Sequence, residues 1–508
     1  MLWLKELPFF AWDLNFPEDK HSKFHSHYSS NAEDGIQSFF AVRLATSNAK
    51  EMAAYLCHIF GFTEIATRDL ENGNICVCSH VLRKDDVVFE VVGTLETRSD
   101  TSYTKAKDKF QISHPPEGNF IDLETKILNF LGGSEDLRQN VHEALQYNGI
   151  RKLIDELGKL NQPVVLSAIE EASMASKINE FVSLHGIGVI DVAFEVKNVR
   201  NLYSKAISAG ATIINPPKLS RDLNGGVLIA TVGSPISDIH HTLVEFLDYN
   251  GPYLPSYAPA KSHTVEDREF VLQGIDHCVQ NYHFGELIPS TNFYMSAFGL
   301  HKFWSVDDKD ISTSNSGLRS IVISNLNEKV LLPFNEPVES KMRGQIEEFY
   351  DYYGGPGIQH IALRTNNIIA MVRSLKSQGL EFNTISDEYY EALKQKLTLL
   401  KIELYEDFEE LKSHHILADV DQSSLYHLQD GKLRSNYILQ IFSKPIHDRP
   451  TLFFEIIQRY NHNGFGKGTF KGLYESIEEQ QKLRGTLTPT ELGRSHQIPQ
   501  EFRELESI

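Results

Sequence analysis

Residues 357–380 read GIQHIALRTNNIIAMVRSLKSQGL, and they join a short apolar strand to an amphipathic helix that ends near a glycine. The helix is predicted from apolar residues at helical spacing, as at Ile368, Val372 and Leu375. Three further segments share this design. They begin at Gly35, Gly188 and Gly274. An internal repeat of this kind determines the architecture more firmly than any single motif.

The four repeats group into two halves, joined by the Pro-rich stretch GPYLPSYAPAKSH at 251–263. Each repeat is predicted to be a βαβββ module, so we expect an α+β protein of two tandem domains, each an open, barrel-like curved sheet. The predicted limits are 1–30 for an N-terminal arm, 31–255 for the first domain with a helical insertion at about 97–180, and 256–508 for the second.

Composition limits the class of protein. The 508 residues are 41% hydrophobic and 23% charged, which is typical of a folded globular protein. The net charge of -19 disfavours nucleic acid as a partner, and no apolar run approaches the ~20 residues of a membrane span. The four cysteines suggest a reduced compartment, so we expect a cytoplasmic protein that does not bind membranes.

Three residues stand out when the repeats are aligned: His277 in GIDHCVQN, His360 in GIQHIAL and Glu455 in TLFFEII. A single histidine in a strand is usually a hydrogen-bonded core residue, and a single glutamate at a strand end is usually solvated. Two histidines at one position of successive repeats, with a carboxylate on a closing strand, instead become neighbours in one curved sheet. Two imidazoles and one carboxylate suit non-haem Fe(II) and oxygen chemistry.

Longer motifs of the second half are more specific than these three residues. They include IDHCVQN, LLPFNEP, GGPGIQHIALRTNNI, YILQIFSKPIHDRPTLFFEIIQRYNHNGFGKG and IEEQQKLRG. Through them the region from Gly274 to Gly485 resembles the 4-hydroxyphenylpyruvate dioxygenase family of the vicinal oxygen chelate superfamily. The first half resembles the family more loosely, through HGIGVIDVAFEV and HTLVEFLDYNGPYLPSY.

The resemblance implies that His277, His360 and Glu455 bind one Fe(II) per chain in a catalytic second domain. It also implies that the substrate supplies its own 2-oxo acid, and that 4-hydroxyphenylpyruvate and O2 become homogentisate and CO2 in the catabolism of tyrosine and phenylalanine. A homodimer is expected. The alternatives are 4-hydroxymandelate synthase, which resembles this family and uses the same substrate and metal, and a non-catalytic ligand-binding protein of the same fold.

Residues around the metal can be predicted from strand alternation, because side chains two apart share a face. Gln440 and Phe442 share one face of YILQIF, and Phe453 shares a face with Glu455, so these three are expected to face the metal. The same alternation places Gln359 opposite His360, which makes it the weakest candidate for a substrate contact.

The resemblance assigns roles to several of these residues. Phe442 and Phe465 would hold the substrate ring between them, and hydrogen bonds would come from Gln345, Ser320, Asn335 and Gln440. Phe465 lies in the loop NGFGKG before the last helix. We therefore expect this helix to close the pocket; the alternative is a glycine-rich helix entry without motion.

The first half is predicted to hold no metal. Direct alignment of the repeats puts Ser38 at the position of His277 and Asp191 at the position of His360, so that only a carboxylate, Glu245, would remain. Without imidazole ligands such a site would hold a transition metal weakly.

Overall fold

The computed structural model describes residues 35–95, 163–260, 269–306, 313–427 and 433–490, apart from 73, 75, 314 and 467. The predicted N-terminal arm and most of the predicted insertion lie outside the described residues. Within the described ranges, no helix combines the length and apolar character needed to cross a bilayer.

The first sheet has nine strands in the order β6-β7-β8-β5-β1-β4-β3-β2-β9. The bounds are Ile36–Ala45 (β1), Thr63–Arg68 (β2), Val77–Lys84 (β3), Val87–Thr94 (β4), Gly188–Val196 (β5), Thr212–Asp222 (β6), Gly225–Gly233 (β7), His240–Phe246 (β8) and Ala258–Pro259 (β9). The helices are Ala49–Phe60 (α1), Pro163–His185 (α2) and Val199–Ser208 (α3), with a 3-10 turn at Leu70–Asn72.

The second sheet has eight strands in the order β11-β12-β13-β10-β14-β19-β18-β15. The bounds are Leu272–Asn281 (β10), His301–Val306 (β11), Leu318–Ser324 (β12), Leu331–Pro337 (β13), Gly357–Thr365 (β14), Leu417–Val420 (β15), Tyr437–Phe442 (β18) and Phe453–Tyr460 (β19), and a separate pair joins Tyr426–His427 (β16) to Leu433–Arg434 (β17). The helices are Leu287–Phe298 (α4), Gln345–Tyr353 (α5), Ile368–Ser377 (α6), Asp387–Leu400 (α7), Phe408–His414 (α8) and Phe470–Arg484 (α9).

Both sheets are built from two modules whose first strands pair antiparallel at the centre, β1 with β5 and β10 with β14. Each first strand also pairs parallel with the last strand of its own module, as in β14 with β19. This is the predicted arrangement of βαβββ modules. The predicted limits at residues 255 and 256 stay a prediction; β9, at Ala258–Pro259, still belongs to the first sheet.

Three of the repeats begin their helix in the same way. Asn48, Asn198 and Asn367 each have an extended backbone, and each side chain accepts a hydrogen bond from the backbone N–H three residues later. An asparagine in this position satisfies one of the free N–H groups at a helix N-terminus. The cap therefore fixes where each helix leaves its central strand, which in turn fixes how the modules pack.

The two halves share one continuous hydrophobic core. Phe454 of β19 lies 4.8 Å from the ring of Phe60 and 5.9 Å from the ring of Phe89, both in the first half. At another point of contact the ring of His241 in β8 lies 5.3 Å from that of Phe298 in α4. All five residues contribute to the packing that ties the second sheet to the first.

Candidate metal centre

The three predicted ligands lie on three adjacent strands at the centre of the second sheet, β10, β14 and β19. Their ligand atoms all lie within 4.8 Å of one another. The Oε2 atom of Glu455 is 3.1 Å from Nε2 of His277 and 3.3 Å from Nε2 of His360. All three side chains are buried, so the structure brings them together as the sequence predicted.

The charge state of this cluster fits a metal site. Burial alone would raise the pKa of Glu455, but the charge of His277 and hydrogen bonds to both imidazoles outweigh burial and bring it to about 2. Burial lowers the pKa of His360 below its usual value. Burial would also lower the pKa of His277, but the charge of Glu455 and the hydrogen bond to Asp276 outweigh burial and raise it, so a metal bound here would displace a proton from His277. A carboxylate anion and neutral imidazole are the ligand forms that divalent first-row metals require. The donor set therefore suits Fe(II) and related ions.

Each histidine ligand is preceded by the extra residue of a β-bulge. In the pairing of β10 with β14, Ile275 faces Leu363 while His277 faces Ala362, so Asp276 has no partner of its own. Gln359 is the extra residue beside His360 for the same reason. A bulge redirects a side chain relative to simple alternation.

Both bulge residues contact the histidine that follows them. The Oδ1 atom of Asp276 lies 2.8 Å from Nδ1 of His277, and the Oε1 atom of Gln359 lies 3.2 Å from Nδ1 of His360. Since each acceptor holds a proton on Nδ1, each ring would bind a metal through Nε2, in place of the contact that Nε2 makes with Glu455. The expectation that Gln359 points away from His360 is therefore wrong.

Gln440 and three phenylalanines surround the cluster. Gln440 donates from Nε2 to Oε1 of Glu455 at 2.9 Å. The rings of Phe453 and Phe442 lie 4.8 and 5.9 Å from the ring of His360, whereas the ring of Phe465 lies 5.1 Å from that of His277. Aromatic residues thus border the cluster on the two sides occupied by its histidines.

The last loop is attached to the same network. The Thr469 hydroxyl donates to Oε1 of Gln440 at 2.8 Å. Gly466 has a φ of 77°, and a Cβ there would overlap Oε1 of Gln440 and the Thr469 hydroxyl. The loop carrying Phe465 therefore needs glycine at this point, both for its left-handed backbone and for its close approach to Gln440.

The remaining predicted residues lie on the neighbouring strands and on α5. Ser320 of β12 faces Asn335 of β13 across the strand pair, and Asn335 donates to the side chain of Asn281 at 3.2 Å. Gln345, the first residue of α5, accepts from Nε2 of Gln359 at 3.1 Å. All are buried, but their roles toward a substrate stay predictions.

Asp276 is not among the residues predicted from the sequence, although an acidic residue within the apolar strand GIDHCVQN is a usable signal. A buried carboxylate requires partners, and a neighbouring histidine is one of the few available.

The strand pairing also corrects the alignment of the two halves. In the second sheet, His277 of β10 pairs with Ala362 of β14. The equivalent pair in the first sheet joins Ala41 of β1 to Ala193 of β5. Ala41, and not Ser38, therefore corresponds to His277. In the second sheet, Phe453 pairs with His360, and Glu455 follows Phe453 by two residues. In the first sheet, His240 pairs with Asp191. The residue two positions after His240 is Thr242, so Thr242, and not Glu245, is the counterpart of Glu455. The equivalent positions of the first sheet thus contain no imidazole. Among the described residues, the one cluster of His, Cys, Asp or Glu suited to a metal is the one in the second sheet.

Similarity to known proteins agrees with this site. The family model for the glyoxalase, bleomycin resistance protein and dioxygenase superfamily matches residues 274–398. The 4-hydroxyphenylpyruvate dioxygenase of Aspergillus fumigatus is 38% identical over 87% of this chain and 91% of its own length. That of Xenopus tropicalis is 35% identical over 92% of this chain and 97% of its own. The chain belongs to the 4-hydroxyphenylpyruvate dioxygenase family.

A solved structure supports the same fold. A mutant of 4-hydroxymandelate synthase from Streptomyces coelicolor superposes with a TM-score of 0.61, at 23% identity, over 88% of this chain and 99% of its own. The family, the vicinal oxygen chelate fold and the dioxygenase activity predicted from the sequence are therefore confirmed. The family implies a metal cofactor, a small-molecule substrate and O2, and the cluster of His277, His360 and Glu455 provides a candidate metal site.

Proposed function

We propose that this protein binds one Fe(II) through His277, His360 and Glu455 and converts 4-hydroxyphenylpyruvate and O2 to homogentisate and CO2. The observation that carries the proposal is the convergence of two imidazoles and one carboxylate, all buried, with ligand atoms within 4.8 Å. These three residues would hold the Fe(II), and the metal would supply the binding of the substrate's 2-oxo acid and the activation of oxygen.

When bound, Fe(II) supplies the oxygen chemistry that couples decarboxylation of the 2-oxo acid to hydroxylation of the ring. The protein orients the ligands: Asp276 and Gln359 orient the two imidazoles, and Gln440 fixes Oε1 of Glu455. These hydrogen bonds keep the donor atoms in place before the substrate arrives, which lowers the reorganisation needed during the reaction.

The substrate ring is proposed to lie between Phe442 and Phe465. These two rings border opposite histidines of the cluster, and both are buried. Phe453 forms the adjoining wall, since its ring stacks on that of His360. Aromatic walls orient a phenol ring and exclude water from the reacting carbon.

Polar contacts are proposed for the phenol and the oxo-acid ends of the substrate. The buried amides and hydroxyl available are those of Gln345, Gln359, Gln440, Asn335 and Ser320. Helix α9 is proposed to close over the pocket: Phe465 and Thr469 join the loop before α9 to the metal cluster, so a substrate that contacts Phe465 also acts on the position of this helix.

The first domain, proposed to span residues 31–255, would then serve as a structural partner of the catalytic domain at 256–508. Its sheet has Ala41, Asp191 and Thr242 at the positions of the three ligands. We further propose a cytoplasmic homodimer. The net charge of -19 disfavours nucleic acid as a partner, and the sequence contains no apolar run of the ~20 residues that a membrane span needs.

The test is anaerobic addition of Fe(II), followed by 4-hydroxyphenylpyruvate and air-saturated buffer, with the product identified by chromatography and mass. Homogentisate, with one CO2 released per substrate, is the expected result. The isomeric product 4-hydroxymandelate would assign the protein to the synthase reaction instead. Stoichiometric substrate binding without either product would indicate a ligand-binding protein of this fold.

A further inference from the structure

Asp276 is a fully buried carboxylate that contacts three cationic or potentially cationic side chains. Its Oδ1 lies 2.8 Å from Nδ1 of His277 and accepts from Nη2 of Arg459 at 2.8 Å. Its Oδ2 accepts from Nε of Arg459 at 2.8 Å and from Nε of Arg364 at 2.8 Å. Burial of a carboxylate is favourable only when such partners compensate for lost water. Asp276 is therefore held rigidly beside the metal ligand.

The members of this ion cluster come from the same three strands as the metal ligands. Arg364 follows His360 by four residues in β14, and Arg459 follows Glu455 by four residues in β19. Asp276 precedes His277 in β10. Each ligand strand thus contributes one residue to the metal cluster and one to the ion cluster, which ties the three strands together beside the metal.

The first sheet provides an internal comparison. By the strand pairing that matches Ala41 to His277, the counterpart of Asp276 is Phe40, and that of Arg459 is Phe246. These two rings contact each other at 5.6 Å, in place of the ion pair. The bulge is retained there without charges at these two positions, and the buried ion pairs of the first sheet, from Arg43 to Glu90 and Asp191, lie elsewhere. The fold alone therefore does not require the charges.

The two histidine ligands differ in what supports them. Nδ1 of His277 faces a carboxylate that two guanidinium groups hold in place, whereas Nδ1 of His360 faces the neutral amide of Gln359, at 3.2 Å. An ionised acceptor forms a stronger hydrogen bond than a neutral one and fixes the ring and its tautomer more firmly.

We propose that Asp276, clamped by Arg364 and Arg459, is the positioning residue that presents Nε2 of His277 to the metal, so that His277 is the fixed ligand and His360 the adjustable one. This inference rests on the proposed metal site. The clamp orients the ring through its Nδ1–H, and the two arginines keep the carboxylate from moving toward the metal itself.

The experiment measures Co(II) affinity and the visible Co(II) spectrum of the full chain under anaerobic conditions, with thermal unfolding of the metal-free protein as a check on folding. Asp276→Asn should weaken Co(II) binding by about 10- to 100-fold and change the spectrum, because the ligand ring loses its charged acceptor. The matched control is Asp191→Asn, an equally buried carboxylate of the first sheet that pairs with Arg43 at 3.3 Å. It should leave the Co(II) affinity unchanged.

Two further variants separate the possible failures. Arg364→Gln removes one guanidinium from a side chain that is 36% exposed, and should weaken Co(II) binding less than Asp276→Asn but in the same direction. If Asp276→Asn does not fold, Arg364→Gln alone tests the proposal, and an unchanged Co(II) affinity of that variant refutes the clamp. If His277→Ala abolishes Co(II) binding while Asp276→Asn matches the wild type or the Asp191→Asn control, the positioning role is wrong. If His277→Ala keeps wild-type affinity, the metal site itself is misassigned.

Discussion

Replacing His241 with glutamine should make the stability of this protein less dependent on pH between 7 and 5. His241 is fully buried where the two halves meet, with Nδ1 3.0 Å from the carbonyl oxygen of Val192 and Nε2 2.8 Å from the hydroxyl of Tyr294. Because a carbonyl only accepts, Nδ1 donates to Val192; in the neutral ring Nε2 then carries the lone pair that faces the Tyr294 hydroxyl, which also lies 3.2 Å from Oε1 of Gln280. Burial lowers the pKa of His241 from 6.5 to about 4.

The size of the effect follows from the two pKa values. In the unfolded chain His241 takes up a proton near pH 6.5, whereas in the folded chain it stays neutral until about pH 4. The unfolded state therefore binds more protons in this range, so the free energy of unfolding falls as the pH falls. Between pH 7 and pH 5 the loss from this one residue is about 2 kcal/mol.

The assay is urea unfolding of the wild type and of His241→Gln at pH 7 and pH 5, followed by far-UV circular dichroism. Glutamine does not titrate, so the wild type should lose about 2 kcal/mol more than the variant on going to pH 5. Other histidines contribute equally to both proteins. His58→Gln, at an exposed position of α1, controls for the loss of one histidine. Equal pH dependence in the wild type and His241→Gln would refute the buried neutral ring.

Other predictions concern the metal and the pocket. Glu455→Gln keeps the side-chain shape but removes the anionic ligand, so metal content and turnover should both fall strongly; normal turnover with stoichiometric iron would contradict the assignment. Metal analysis of the wild type should give one tightly bound iron per chain, and two would contradict the metal-free first sheet. Phe442→Ala and Phe465→Ala should each weaken substrate binding by about 1–3 kcal/mol at unchanged iron content, measured by anaerobic titration. Gly466→Ala should cost about 1–2 kcal/mol in a positive-φ position and displace Gln440, seen as a lower unfolding midpoint and slower turnover; a protein like the wild type would count against this loop geometry.

The sequence predicted the repeats, the two tandem sheets and the three ligands because these depend on patterns that recur along the chain. The repeated strand and helix that begin at residues 274 and 357 can be recognised in the sequence, and so can His277 and His360 at their matching positions. Their convergence with Glu455 follows from adjacency of the strands, which the module design already implies.

The finer placement failed at the β-bulges. Simple alternation puts Gln359 opposite His360, but Gln359 is the extra residue of a bulge and its side chain reaches the histidine ring. Strand β14 is buried along almost its entire length, so its sequence has no apolar and polar alternation from which a change of phase could be detected.

The match of Ser38 to His277 failed for a related reason. The segments GIQSFF and GIDHCV look alike and align directly with Ser38 at the position of His277. The strand pairing shifts this alignment by three residues and makes Ala41 the counterpart of His277. The correspondence between residues of two short segments depends on the register of their strands. That register is set by hydrogen bonds to other strands, which the sequence of the segments alone does not reveal.

Strand β19 has a consequence for how the protein can be produced. Glu455 lies in the metal cluster, while the next residue toward the N-terminus, Phe454, packs against Phe60 and Phe89 of the first half. A recombinant second domain cut near residue 260 would leave this aromatic surface facing water, immediately behind the strand that carries a ligand. Large apolar patches of that kind favour aggregation. Truncated expression products should therefore precipitate, and co-expression of the missing half is the natural remedy.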